Sequence, residues 1–136
     1  MSRLDRVALI PRAFAADDRG WLLKVIDGRE DNLPDRTGEI YLTLAFPGLV
    51  RGNHFHRLTS EWFTIVQGAA LLILGDPETA ERAEIRLSAD NPQTVYIPAG
   101  VGHAFVNAAD APEPFLLVAY ADHLYDPQDT IFMGLA

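Results

Sequence analysis

The chain has 136 residues, a formal net charge of −8 at pH 7 and 49 % hydrophobic residues. This length is that of one domain with its own buried core, so we predict a single domain over residues 1–136. The acidic balance argues against nucleic acid or an anionic membrane as a partner, because both bind cationic surfaces. An anionic ligand would therefore need a local group of basic side chains.

Cysteine is absent from the sequence, which excludes thiolate metal ligands and a disulfide framework. The first six residues lack the apolar run of a signal peptide, and no segment is long and apolar enough to cross a membrane. We therefore expect a cytoplasmic location.

Short β-strands are predicted along the whole chain. In order they cover residues 6–10, 21–26, 39–46, 51–56, 62–66, 69–74, 84–87, 94–97 and 115–120, with Gly, Pro, Asn and Asp between them. The polar segment 27–38 is predicted to be a loop that lies across a barrel mouth. No stretch shows an amphipathic helical period, so the pattern indicates an all-β barrel or sandwich.

The segment 51–68 carries the first chemical motif, with His54, His56 and Glu61 in an H-x-H-x4-E-x6-G pattern. Because side chains alternate along a strand, His54 and His56 are expected on the same face. A turn and a returning strand would bring the Glu61 carboxylate beside the two imidazoles. Nitrogen and oxygen ligands of this kind favour a divalent metal of intermediate softness.

A second motif, P-x-G-x-x-H-x-x-x-N over residues 98–107, supplies His103 as a fourth candidate ligand. Each of the four side chains alone is more often a hydrogen-bonded histidine or a solvated carboxylate. Their ordered combination favours a metal or catalytic site.

Together the two patterns resemble the paired motifs of the cupin superfamily. The resemblance implies an all-β double-stranded β-helix, the cupin jelly-roll barrel, in which His54, His56, Glu61 and His103 converge at the mouth as metal ligands. The implied cofactor is a divalent metal, with zinc first and iron, manganese or nickel as alternatives. By analogy with such cupins, we also expect a homodimer.

Residues around the first motif narrow the resemblance. Arg51-Gly52-x-His54 is similar to the R-G-x-H signature of the dTDP-4-dehydrorhamnose 3,5-epimerases. The longer run 51–56 with Glu61 is similar to the carboxy-terminal cupin of capsule enzymes that act on UDP-linked keto sugars, and to the sugar-nucleotide 3,4-ketoisomerases. The pattern departs at Leu124, where the alignment places the catalytic tyrosine of the 3,5-epimerases.

The resemblance implies a sugar-nucleotide epimerase or ketoisomerase that acts next to the ketone of an NDP-4-keto-deoxyhexose in polysaccharide or deoxysugar biosynthesis. Its partner would be a nucleotide-linked sugar. Arg51 is the predicted ligand of the diphosphate, with Lys24 and Arg57 as weaker substrate-binding candidates, because a guanidinium group matches phosphate geometry.

Two assignments of the catalytic groups stay open. If the four ligands hold a metal, proton transfer falls to Tyr41, Lys24 or a bound water. If the site is metal-free, His54 is the base and His56 helps to hold the enolate, because a ligated imidazole has no free lone pair.

Two other functions also stay open. The first is a metal-dependent cupin of another class, such as a dioxygenase, which needs iron with open coordination positions. The second is a non-catalytic cupin that binds a sugar or another metabolite, which would exchange no proton with any keto sugar.

Overall fold

The computed structural model describes residues 2–36 and 38–136. Its strands are β1 (Ala8–Pro11), β2 (Phe14–Asp17), β3 (Gly20–Leu23), β4 (Glu39–Ala45), β5 (Val50–Phe55), β6 (Glu61–Gln67), β7 (Ala69–Gly75), β8 (Arg82–Ser88), β9 (Gln93–Ile97), β10 (Gly102–Val106), β11 (Phe115–Ala121) and β12 (Ile131–Phe132). Two short 3₁₀ turns, Arg3–Arg6 and Pro127–Asp129, are the only helical segments in these ranges. No helix there is long and apolar enough to span a membrane.

Two five-stranded antiparallel sheets make up the barrel. The first has the order β1-β9-β6-β11-β4 and the second the order β12-β5-β10-β7-β8, while β2 and β3 form a separate hairpin. Neighbours such as β6 and β11, or β5 and β10, are far apart in sequence, which is the connectivity of a jelly roll. The predicted double-stranded β-helix is confirmed.

The core lies between the two sheets. Alternation along β6 turns Phe63 and Ile65 inward, where they belong to the same buried cluster as Leu72 of β7 and Phe105 of β10. Burial of each such side chain contributes roughly 1.5–3 kcal/mol relative to exposure. The register that buries them also places Glu61 on the inner face, since a slip of one residue would turn it outward.

The amino-terminal strand prediction is displaced by about two residues, within the usual uncertainty of element boundaries. Residues Arg3–Arg6 form a 3₁₀ turn capped by Ser2, so β1 begins only at Ala8. Pro11 belongs to β1, an edge strand where a missing backbone N–H is tolerated. A turn joins β2 to β3, and β2 is a strand that the sequence analysis missed.

The segment 27–38 is a loop as predicted, but its described residues do not lie across the barrel mouth; residue 37 is outside the described part. Arg12 pairs with Glu30 and donates from Nε to Thr94 Oγ1 at 2.8 Å. Thr94 faces away from the core, and its hydroxyl donates to the Val25 carbonyl at 2.7 Å. These contacts hold the segment against the outer face of the first sheet.

Candidate functional site

A cavity of about 270 Å³ opens at one mouth of the barrel. Strand β4, the strands β5 and β6 with the turn between them, and the end of β11 with the segment that follows it supply its lining. The lining residues are Glu39, Tyr41, His54, His56, Thr59, Glu61, Ala121, His123, Leu124, Tyr125, Asp126 and Thr130. The segment after β11, rather than the loop at 27–38, therefore borders the mouth.

A β-bulge in β5 sets the direction of His54. His54 pairs with His103 across the ladder, but the next pair is Gly52 with Ala104, so Asn53 is an extra residue. Gly52 and Asn53 have positive φ values of 81° and 72°. A Cβ atom at Gly52 would lie 2.9 Å from the His103 backbone oxygen. Glycine permits this approach and asparagine tolerates the left-handed conformation, so the sequence Arg-Gly-Asn-His builds the bulge.

Three histidines and a glutamate meet inside the barrel, and we call this group the histidine centre. The ring centroids are 4.7 Å apart for His54 and His56, 5.0 Å for His54 and His103, and 5.7 Å for His56 and His103. One ligand nitrogen from each ring lies within 4.8 Å of the others. Glu61 Oε1 lies 3.0 Å from His56 Nε2 and 3.6 Å from His103 Nε2. The fold thus brings together the four side chains that the motifs indicated.

Backbone carbonyls fix the tautomers of two imidazoles. His56 Nδ1 lies 2.6 Å from the Asp129 carbonyl oxygen, and His103 Nδ1 lies 3.3 Å from that of Val101. Because a carbonyl only accepts, each Nδ1 carries the hydrogen. The Nε2 atoms near Glu61 are therefore the nitrogens that are available as ligands.

Glu61 Oε1 is buried and has no hydrogen-bond donor of good geometry among the described residues. When His56 and His103 are neutral, Glu61 Oε1 faces the lone pairs of their Nε2 atoms, so all three atoms are hydrogen-bond acceptors. A shared proton or a cation stabilises such a set. Imidazole nitrogens with one carboxylate suit zinc and related divalent metals, so the residues present fit the metal that the cupin resemblance implies.

Burial disfavours protonation of two of the three imidazoles. Burial, with the neighbouring His103 and His56, lowers the pKa of His54 to about 4. Burial also lowers the pKa of His103, although Glu61 opposes this effect. For His56, burial acts in the same direction, but the adjacent Glu61 carboxylate outweighs it and raises the pKa. Of the three imidazoles, His56 is therefore the one whose protonation Glu61 favours.

Tyr41 reaches the histidine centre from β4. Its hydroxyl donates to Glu61 Oε2 at 2.5 Å. Burial is the largest cause that raises the pKa of Tyr41, and the negative charge of Glu61 raises it further. The phenolic proton is therefore held on Tyr41, where it orients the carboxylate.

Arg51 lies near two histidines of the histidine centre. It is exposed, and its Nε donates to the Leu44 carbonyl at 2.8 Å. It lines a second cavity, of about 190 Å³, together with His54 and His103. His54 lines both this cavity and the mouth cavity.

The structure does not bring the two other predicted basic residues to the site. Lys24 is exposed and adjoins Val25, whose carbonyl is bonded on the outer face of the first sheet. Arg57 is also exposed, and its guanidinium carbon lies 5.9 Å from the ring centroid of Phe55. Neither residue lines the two cavities at the centre.

The sequence analysis missed two residues of the site, His123 and Asp129. His123 lines the mouth cavity, and its Nδ1 lies 2.6 Å from Asp122 Oδ1. Asp129 is buried; its carboxylate accepts from the Arg57 backbone N–H, and its carbonyl holds His56. One sequence feature could have drawn attention to His123: of the four histidines in the chain, it alone lies outside both motifs.

A double-stranded β-helix with this histidine centre in its interior defines the protein as a cupin. The family model for the polysaccharide biosynthesis C-terminal domain matches residues 15–131. The chain therefore belongs to this family.

Related proteins have names from carbohydrate biosynthesis. A probable low-salt glycan biosynthesis epimerase from Haloferax volcanii is 29 % identical over 120 residues, which cover 84 % of this chain and 76 % of that protein. A dTDP sugar isomerase from Desulfovibrio desulfuricans matches with a TM-score of 0.83 at 20 % identity over 96 % of this chain and 85 % of that one. The capsular polysaccharide assembling protein CapF from Staphylococcus aureus matches with a TM-score of 0.66 at 28 % identity over 90 % of this chain, but only 34 % of CapF is covered.

These comparisons confirm the predicted cupin resemblance and the jelly-roll fold. The relatives' names also agree with the predicted class, an enzyme of sugar-nucleotide epimerisation or isomerisation.

Proposed function

We propose that this protein is a sugar-nucleotide epimerase or ketoisomerase that acts next to the ketone of an NDP-4-keto-deoxyhexose, in polysaccharide or deoxysugar biosynthesis. The convergence of the histidine centre inside the barrel, with Arg51 beside it, is the observation that carries the proposal. The similarity to a probable glycan biosynthesis epimerase and to a dTDP sugar isomerase supports it.

Enolisation is the step that these reactions share. A ketone at C4 of the sugar acidifies the protons on C3 and C5, and a base removes one of them. The developing negative charge on the ketone oxygen requires donors or positive charge that are already in place. Return of a proton to the opposite face of the same carbon inverts its configuration, which is epimerisation. Return of a proton to the neighbouring carbon moves the ketone, which is ketoisomerisation.

His54, His56, Glu61 and His103 would hold a divalent metal, zinc first, with iron, manganese or nickel as alternatives. When bound, such an ion supplies Lewis acidity toward the ketone oxygen. The chain's own contribution is orientation, because Tyr41 and the Asp129 carbonyl fix Glu61 and His56 through hydrogen bonds.

In a metal-free site, His54 would be the base and His56 the electrophile. The pKa of about 4 keeps His54 neutral at pH 7, so its lone pair is available to take a proton. Glu61 raises the pKa of His56, which favours an imidazolium that faces the enolate oxygen.

Arg51 would bind the diphosphate of the nucleotide. Among the described residues, the only hydrogen bond of its guanidinium runs from Nε to the Leu44 carbonyl. The two terminal nitrogens would donate in parallel to phosphate oxygens. In a chain with a net charge of −8, this local cation is what lets an anionic substrate approach.

We also propose a cytoplasmic homodimer of single-domain subunits. Ile40 and Leu42 project from the edge strand β4 with 72 % and 64 % of their surface exposed, an apolar face that a second copy would cover. Light scattering should show a dimer for the wild type and a monomer for Leu42→Glu. Leu49→Glu, at another exposed leucine outside β4, should remain dimeric; a wild-type monomer would contradict this part of the proposal.

Product analysis tests the proposed reaction. The purified protein is incubated with dTDP- and UDP-linked 4-keto-6-deoxyhexoses, and proton couplings of the recovered sugar give the configuration at each carbon. A changed configuration at C3 or C5 identifies an epimerase, and a ketone at C3 identifies a ketoisomerase. Complete recovery of every substrate would overturn the proposal.

A further inference from the structure

Asp122 and His123 form a hydrogen-bonded pair at the edge of the mouth cavity. His123 Nδ1 lies 2.6 Å from Asp122 Oδ1, which also accepts the backbone N–H of Ser60 at 3.0 Å. The Asp122 backbone N–H in turn donates to the Ser60 carbonyl at 3.1 Å. The carboxylate is thus anchored to the backbone just before β6, and it fixes the orientation of the imidazole.

This anchoring determines which nitrogen of His123 can act as a base. An ionised carboxylate only accepts, so Nδ1 carries the hydrogen and Nε2 has the lone pair. Nε2 has no hydrogen-bond partner within residues 2–36 and 38–136, and His123 lines the same cavity as His54 and His56. With one third of its side chain exposed, His123 can exchange protons with water.

Other titratable side chains near the centre are less suited to proton transfer. The Tyr41 hydroxyl donates a hydrogen bond to Glu61, so its hydrogen is already engaged by that carboxylate. Lys24 lies outside the cavity. Asp126 lines it but accepts the Gln128 backbone N–H as the cap of the 3₁₀ turn. Glu39 is the remaining competitor when the histidines hold a metal, and in a metal-free site His54 competes as well.

We propose that His123 is a catalytic acid–base residue at the cavity mouth and that Asp122 is its positioning residue. This inference rests on the proposed keto-sugar function. It also supplies an acid–base group beside Leu124, where the resemblance would have required a tyrosine.

The proposed proton transfer is balanced. Neutral His123 Nε2 takes a proton from the sugar carbon next to the ketone and becomes imidazolium, stabilised by Asp122. The C–H electron pair becomes the C=C bond of the enolate, and the carbonyl π pair moves to oxygen. In the second half, a proton from water reaches the enolate carbon, and the imidazolium releases its proton to water. Deuterium from D₂O therefore enters the sugar.

The test measures deuterium incorporation at C3 and C5 of the dTDP- or UDP-linked 4-keto-6-deoxyhexose that the wild type exchanges. His123→Gln should slow exchange by roughly 100-fold or more, the usual contribution of a general base. Exogenous imidazole should restore part of the exchange to His123→Ala. Gln128→Ala, an exposed position in the same segment, should exchange at the wild-type rate.

Asp122→Asn separates positioning from simple structural support. The amide keeps the oxygen that accepts from Ser60 and from Nδ1 but removes the negative charge that stabilises the imidazolium. We expect kcat to fall about 10-fold or more while KM stays within about 3-fold, because substrate binding does not use this pair.

Several outcomes would overturn the inference. The first is that folded His123→Gln exchanges deuterium at the wild-type rate. The second is that imidazole fails to restore exchange to folded His123→Ala. The third is that Glu39→Gln loses exchange while His123→Gln keeps it in full. If His123→Gln does not fold, the Asp122→Asn kinetics and the imidazole rescue decide. If the wild type incorporates no deuterium into any of the keto sugars, the proposed function itself fails. If the wild type incorporates deuterium and the His123 variants do so equally fast, only the acid–base assignment is rejected.

Discussion

The Tyr41 hydroxyl donates a 2.5 Å hydrogen bond to Glu61 Oε2. This contact joins the edge strand β4 to the central strand β6, and it spans β11 on the inner face of the same sheet. It satisfies one oxygen of a buried carboxylate whose other oxygen faces His56 and His103. Glu61 is thus held in place from the side opposite the histidines.

Tyr41→Phe should lower the free energy of unfolding by about 1–3 kcal/mol, since it leaves a buried carboxylate oxygen without its donor. Urea denaturation measures the change. Tyr120→Phe is the matched control, because the Tyr120 hydroxyl makes only an exposed 3.2 Å bond to the Arg36 carbonyl. Equal stability losses in the two variants would mean that the buried hydrogen bond contributes no more to stability than the exposed one.

Metal binding should depend on the histidine centre and not on the fourth histidine of the chain. Zinc titration with elemental analysis should give stoichiometric metal for the wild type and for His123→Gln. His54→Gln and His103→Gln should retain little, because each removes a nitrogen ligand. Stoichiometric zinc in folded His103→Gln would exclude that residue as a ligand.

The histidine centre was predictable because its ligands occur in two short segments whose spacing is itself a pattern. His54, His56 and Glu61 lie within one strand–turn–strand unit, and His103 lies in the strand that pairs with β5. Along β4 the side chains alternate, so Tyr41 faces the cavity while Ile40 is exposed on the other face.

The positions of Lys24, His123 and Asp129 could not be predicted, because they depend on contacts between residues that are far apart in the sequence. Lys24 is kept away from the mouth because the Arg12 and Glu30 pair holds the following loop on the outer face. His123 has no motif around it and reaches the cavity only because Asp122 is bonded to Ser60, 62 residues earlier. Asp129 is likewise joined to His56 over 73 residues, which no local pattern reports.

The Arg12 and Glu30 pair should make stability pH-dependent in acid. Burial acts to raise the pKa of Glu30, but Arg12 and backbone N–H groups outweigh it and lower the pKa from 4.5 to about 2. The folded state favours the ionised carboxylate of Glu30. This carboxylate therefore stabilises the fold fully above pH 4.5, and the stabilisation is lost as the pH falls toward 2.

Urea denaturation between pH 3 and 7 checks this dependence. Glu30→Gln should unfold with a free energy on the order of 2 kcal/mol lower at pH 7 and with a flatter acid limb. Glu84→Gln, at an exposed position on β8, should keep the wild-type slope. An unchanged slope in Glu30→Gln would assign the acid sensitivity to other carboxylates.

Gly52→Ala should be more costly than Gly28→Ala, although both glycines have positive φ, 81° and 89°. At Gly52 the new Cβ would lie 2.9 Å from the His103 backbone oxygen, whereas at Gly28 nothing lies within 4 Å. We expect a stability loss of about 1 kcal/mol for Gly28→Ala and of more than about 2 kcal/mol for Gly52→Ala. Thermal unfolding of both variants measures the difference, and similar losses would argue against the close approach at the bulge.

Proton NMR in D₂O tests the proposed enolisation most directly. The wild-type protein is incubated with a dTDP- or UDP-linked 4-keto-6-deoxyhexose, before and after treatment with a chelator. We predict that the C3 or C5 proton signal disappears, and that chelation stops the loss if the metal takes part in catalysis. If both signals persist while the protein carries stoichiometric metal, the keto-sugar function is wrong, and an oxygenase or a binding protein becomes the better description.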